Sequence, residues 1–97
     1  MNEEIDLFIE KWLDFSGKIR GKDGLDEDLY DDLVELLQSI QSKLIGKDLI
    51  PKSLAEIFVD IWGALTSSAD MYDDDARQRI YEAADHLTGY ARDICTS

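Results

Sequence analysis

The stretch from Asp26 to Glu35 holds six acids (Asp26, Glu27, Asp28, Asp31, Asp32 and Glu35) and no base. A second cluster, Asp70-Met71-Tyr72-Asp73-Asp74-Asp75, joins four aspartates to an aromatic. Carboxylates at this density either hold a cation or dock against a basic surface. A calcium loop of the EF-hand type needs a glycine at its sixth position and a bidentate glutamate at its twelfth. Neither the Asp70 cluster nor Asp23 to Glu35 supplies that register. Transition-metal chemistry lacks its ligands. His86 is the one histidine, and no Glu-x-x-His, His-Glu-x-x-His or Cys-x-x-Cys occurs. Cys95 is the one cysteine and stands without a flagged base, and no glycine-rich phosphate loop is present. The reading has no catalytic, cofactor-binding or metal residues and expects a protein that is not an enzyme.

Docking is the remaining chemistry. At 100° per residue, Asp28, Asp31 and Glu35 fall within a sector of roughly 60° on one helix face, with Asp32 beside them. An ordinary solvated helix mixes signs, because Glu–Lys pairs four apart stabilise it by a few tenths of a kcal/mol. Here like charges repel instead. A basic partner would turn that cost into steering and selectivity. Tyr30 is either an aromatic anchor for such a partner or a core-edge tyrosine with a wet hydroxyl. In the second cluster, acids at a helix start stabilise its dipole, which accounts for part of Asp70, Asp73, Asp74 and Asp75. The remainder, with Tyr72, extends the candidate docking surface.

The whole chain must be small enough to carry this on one core. Its 97 residues are one domain, 1–97. Area scaling gives about 5,600 Å² of folded surface, enough for a core without disulfides. Acids outnumber bases 22 to 10, a net charge of −12. About 2 to 8 charges suffice to keep a small domain dispersed. The excess excludes nucleic acid and anionic membranes as direct ligands, since both require clustered Lys and Arg. Met1-Asn2-Glu3-Glu4 is an acidic start, unlike a secretory leader, and no apolar run approaches about 18 residues. The expected location is the cytoplasm.

Four helical periodicities position the acids. The first helix is expected from Glu3 to Ile19, capped by Asn2, with Ile5, Phe8, Ile9, Trp12, Phe15 and Ile19 inward. Leu7 falls off that stripe, and Ser16-Gly17 is a point of early fraying. Gly21 to Gly24 is a turn. The second helix spans Asp26 to Ile45 on Leu29, Tyr30, Leu33, Leu37, Ile40 and Leu44, and Gly46 closes it. The third spans Lys52 to Ala69. Leu54, Phe58, Ile61, Trp62 and Leu65 form its stripe, and Ile57, Val59 and Ala64 widen it. A helix apolar nearly all round is expected to be buried, with Glu56 and Asp60 its wet edge. The fourth spans Asp74 to Ile94 on Ala76, Ile80, Ala83, Ala84, Leu87, Ala91 and Ile94, with Asp73 as cap. His86 lies at the stripe's boundary or outside it, with Glu82 a possible pair. Short connections between four amphipathic helices predict an all-α, antiparallel four-helix bundle, most simply a monomer.

Two resemblances bear on function. A carrier protein would place a serine, usually in Asp-Ser-Leu, at a helix start. Asp31-Asp32-Leu33 has no serine there, and Ser53-Leu54 follows Lys52 instead of an aspartate. The size, the charge, the four helices, the acidic second helix and the stretch Gly46-Lys47-Asp48-Leu49-Ile50-Pro51-Lys52 resemble the small acidic helical immunity proteins that bacteria use against their own protein toxins. That family's adjacent tyrosine pair before its proline–lysine has no counterpart here, so no tyrosine contact carries over. The resemblance implies a protein-binding inhibitor of a basic toxin, such as a nuclease, with no cofactor. A nucleic-acid mimic acting against a restriction or CRISPR complex, or a helical assembly or chaperone module, is the alternative.

Overall fold

Each expected helix forms, and each ends where local chemistry requires. The computed structural model describes residues 2–96; Met1, Ser97 and the side chain of Asn2 lie outside the described residues, and with them the cap expected at Asn2. The helices are α1 (Asn2–Arg20), α2 (Glu27–Leu44), α3 (Lys52–Ala69) and α4 (Asp74–Thr96), and no strand occurs among the described residues. Asp26 caps α2 by accepting a hydrogen bond from the Leu29 N–H at 3.1 Å. Asp73 caps α4 in the same way through the Ala76 N–H at 3.0 Å. Gly46 takes the left-handed conformation after α2, with φ 77°.

The end of α1 differs from expectation. The helix does not fray at Ser16-Gly17; Ser16 is buried and the helix runs on to Arg20. The left-handed slot of the closing turn is then filled by Lys22, with φ 66°, and not by either flanking glycine. The Asp23 N–H donates to the Lys18 carbonyl and the Lys22 N–H to that of Ile19, the paired closure of a Schellman turn.

Cross-helix bonds set the topology. Lys11 meets Asp32 and Lys18 meets Asp26, so α1 and α2 are antiparallel. Tyr30 meets His86 and Gln38 meets Tyr90, so α2 and α4 run parallel side by side. Packing joins α1 to α2 and α3, and α4 to α3 and α2, so the connector from α2 to α3 crosses the bundle diagonally. The result is two antiparallel hairpins whose turns lie at the same end. Tyr72 clamps those turns together: its hydroxyl donates to the Ile19 carbonyl at 2.7 Å and accepts from the Gly24 N–H at 3.1 Å. The bundle measures 41 × 22 × 19 Å, with 5756 Å² of accessible surface.

The core is filled by Phe8, Phe15, Leu33, Leu37, Ile40, Leu54, Ile61, Leu65, Ile80 and Leu87, all fully buried. Alanines 83, 84 and 91 let α4 approach α3 closely. Some expected core positions lie at the boundary: Ile9, Leu29, Ala64 and Ala76 are half-buried. The larger correction concerns α3. It is not buried all round, since Val59 is 86% and Trp62 46% exposed. Each helix of this four-sided bundle has only two lateral neighbours, which cover roughly half of its circumference. An apolar sequence cannot bury the outward half when no third neighbour exists.

Candidate functional site

The acids of the first cluster divide into those that hold the bundle and those that do not. Asp26 pairs with Lys18 at 2.7 Å as well as capping α2, and the Lys18 hydrogen bond, followed by that of the Leu29 amide, lowers its pKa. Glu27 takes a two-pronged bond from the Arg79 guanidinium, both arms 2.8 Å, which lowers the Glu27 pKa and raises that of Arg79. Asp32 is half-buried and pairs with Lys11 across the α1–α2 seam at 2.9 Å. Asp28, Asp31 and Glu35 are exposed on the outward face of α2 and have no ion pair among the described residues.

Tyr30 is a packed tyrosine, but its hydroxyl is not wet as the core-edge reading expects. Only 6% of it is exposed, and its ring lies 6.2 Å from that of Phe15 with the Arg79 guanidinium 4.8 Å above it. Its hydroxyl is bonded to Nδ1 of His86, and burial raises its pKa. His86 therefore pairs toward α2 and not with Glu82, because its side of α4 faces that parallel neighbour. The hydroxyl of Tyr72 is likewise spent on the clamp described above, so neither tyrosine stands free as an anchor.

The second cluster is largely helix-start chemistry. Asp73 is the α4 cap, Asp74 pairs with Arg77 at 3.2 Å, and Asp75 lies in the first turn. Asp70 is exposed and closes α3 as its C-cap residue. The parallel arrangement of α2 and α4 supplies the physical reason for so many acids at this end. Two positive helix termini lie side by side there, and each favours carboxylates in its first turn.

The structure adds residues that sequence reasoning passed over. A groove of about 330 Å³ runs between α1 and α2, walled by Glu4, Asp32 and Glu35 and floored by Leu7 and Leu36. An adjoining groove of about 270 Å³ shares Leu7 and Lys11 and adds Glu10, Asp14 and Leu29. Together they form one acidic trough with an apolar floor. Leu7, 42% exposed, stands at its centre. The signal was present as Glu3, Leu7, Glu10 and Asp14, spaced four, three and four apart on the outer row of α1. Glu4, at the far end, is held by Lys43 and Ser39, and both hydrogen bonds lower its pKa. The carboxylates are strung along the trough. Among the described residues no three His, Cys, Asp or Glu side chains converge as ligands of one ion would. No helix is long and apolar enough to cross a membrane among those residues.

Compared with protein families, curated proteins and solved structures, the chain matches no family model, no curated protein and no solved structure.

Proposed function

We propose that this chain is a non-enzymatic inhibitor that binds a basic protein partner through the α1–α2 face, in the manner of an immunity protein neutralising a toxin. One observation carries the reading: the outward acids Asp28, Asp31 and Glu35 are exposed without an ion pair among the described residues, and Glu35 joins them to the trough that Glu10 and Asp14 line on the α1 side. Three of the hairpin's five bases, Lys11, Lys18 and Lys43, are held by seam acids, and the other two, Arg20 and Lys22, lie at its turn end, so the acids outnumber the free bases on this face. Leu7 and Leu36 supply apolar contact at its centre, and the carboxylate rim supplies steering and selection. Where the partner's basic surface binds nucleic acid, the carboxylates stand in the place of phosphates and block it.

The test is capture from the native cell with the wild-type chain and with an Asp28→Lys, Asp31→Lys, Glu35→Lys triple variant. Capture at roughly 0.1 M and 0.5 M salt brackets the range over which surface charges become screened. The expected partner is basic, is retained at low salt only, and is lost by the triple variant. The reading fails if the variant retains the same proteins as the wild type.

A further inference from the structure

The opposite side of the bundle carries a different surface. Ala55, Val59, Trp62 and Thr66 follow one another four, three and four residues apart along α3, a single row on its flank beside α4 in which Val59 and Trp62 are exposed and Ala55 and Thr66 half-buried. Beside the row, Tyr81 of α4 meets Trp62 edge-on, with ring centroids 5.9 Å apart. Next to Val59 the two helices leave a shallow pocket of about 200 Å³, lined by Phe58, Thr88, Ala91, Arg92 and Cys95. A knob (Trp62) and a hole (the pocket) thus lie one helical turn apart on the same face.

We propose that this α3–α4 face is a self-complementary surface that pairs with a second copy of the chain, Trp62 of each copy entering the pocket beside Val59 of the other. The register of α3 supports this occupant. A two-fold axis across the helix midway between Val59 and Trp62 sets Val59 of one copy against Trp62 of the other. The same axis sets Ala55 against Thr66. Small residues thereby meet larger ones along the whole row, as an isologous interface requires. Gly63 borders the row with open space around it and lets the backbones approach. The charges agree as well. α3 carries one base and two acids and α4 three bases and five acids, a net of about −3 for the pair against about −6 for α1 and α2, so two copies of a −12 chain repel less across this side than across the acidic one. Arg92 lines the pocket and has no ion pair among the described residues. In the antiparallel pairing it reaches the Tyr81–Asp85 edge of the other copy. This surface is separate from the acidic trough, so the two proposals stand or fall independently.

The size of the face sets the strength. An 18-residue helix is about 27 Å long, and two helices of about 10 Å diameter present roughly 500 Å² per copy. Stable interfaces average about 800 Å² per partner, so a weak pair is expected, and roughly 10–200 μM is the range searched for it. Sedimentation velocity of the full chain over that range, at about 0.5 M salt to screen net charge, is expected to show a shift from monomer toward dimer. Trp62→Glu and Val59→Arg each abolish the shift, and Arg92→Ala weakens association about threefold. Matching helical circular dichroism shows that the variants are folded. The Asp28, Asp31, Glu35 charge-reversed chain dimerises as the wild type does. A wild-type chain that stays monomeric over the whole range overturns the proposal. So does a dimer that survives either Trp62→Glu or Val59→Arg.

Discussion

The two hairpins are built from helices of similar length and held together by different means. Three ion pairs, Lys11–Asp32, Lys18–Asp26 and Lys43–Glu4, stitch α1 to α2. Among the described residues no ion pair crosses from α3 to α4. Their seam is closed by alanines inside and by the Trp62–Tyr81 contact at its outer edge. The outward surfaces differ as well. The α1–α2 hairpin spends Lys11, Lys18 and Lys43 on its seam and turns Asp28, Asp31 and Glu35 outward beside exposed Leu7 and Leu13; the α3–α4 hairpin turns Val59 and Trp62 outward. The −12 charge is therefore not a uniform coating, and the two sides of one bundle offer chemically distinct contacts.

The sharpest way to break that comparison lies within α3. Ile61 is fully buried and Val59 almost fully exposed, two positions apart. Ile61→Ala removes core atoms and leaves a cavity, so urea unfolding at low protein concentration is expected to show a loss of about 3 kcal/mol. Val59→Ala under the same conditions stays within about 0.5 kcal/mol of wild type. Equal losses at the two positions contradict a one-sided α3. A smaller effect tests what joins the hairpins. Tyr72→Phe deletes a hydroxyl that serves both the Ile19 carbonyl and the Gly24 N–H, at an expected cost of about 1–2 kcal/mol. Hydrogen exchange at the Gly24 amide should quicken in that variant; an unchanged rate means the clamp does not bear on the turn.

The helices were legible in the sequence because their signals are local. Asp26 and Asp73 mark helix starts by accepting from the N–H three residues on, and Gly46 marks a helix end by its left-handed φ. The inward stripes of α1, α2 and α4 were legible for the same reason, since an amphipathic period reports one buried side. α3 misled because its period reports nothing: when nearly every position is apolar, only the number of neighbours decides which are covered. The diagonal connector, and hence the parallel contact of α2 with α4, is a property of the assembly and leaves no mark in composition. Tyr30 and His86 were unpairable in advance for that reason, being 56 residues apart. The acidic face of α2 was read correctly as a row, but its sorting into seam acids and outward acids required the partners Lys11, Lys18 and Arg79. The α1 side of the trough was present in the spacing of Leu7, Glu10 and Asp14, but Leu7 alone, as a residue off the inward stripe, did not reveal the acids beside it.

The Glu27–Arg79 pair between α2 and α4 carries a pH signature of its own. The Arg79 hydrogen bond lowers the Glu27 pKa in the folded chain. A depressed carboxyl contributes stability that is present above its unfolded value of about 4.3 and is lost as pH falls through the folded value. Glu27 is more than half exposed, so solvent screening limits the pair to about 0.5 kcal/mol. Glu27→Gln is therefore expected to be less stable than wild type by that amount at pH 7. By pH 2 to 3 the two unfolding curves should converge. A gap that persists in acid assigns the loss to side-chain packing and not to the ion pair.

The smallest effect is the one that separates binding acids from structural ones. Asp31 and Glu35 lie four apart on the outer face of α2, where like charges cost a few tenths of a kcal/mol. Glu35→Lys replaces that repulsion with an attractive pair to Asp31 and is expected to stabilise the fold by about 0.3 kcal/mol at low salt. The gain should shrink at 0.5 M salt, where the Debye length falls to about 4 Å. Read by thermal unfolding, the change is small but its sign is decisive. A residue whose reversal stabilises the free chain is not retained for the fold, and its carboxylate is then left to account for through a partner. A destabilised Glu35→Lys chain would instead place the outward acids among the residues that hold the bundle, and would remove the observation on which the proposed docking face rests.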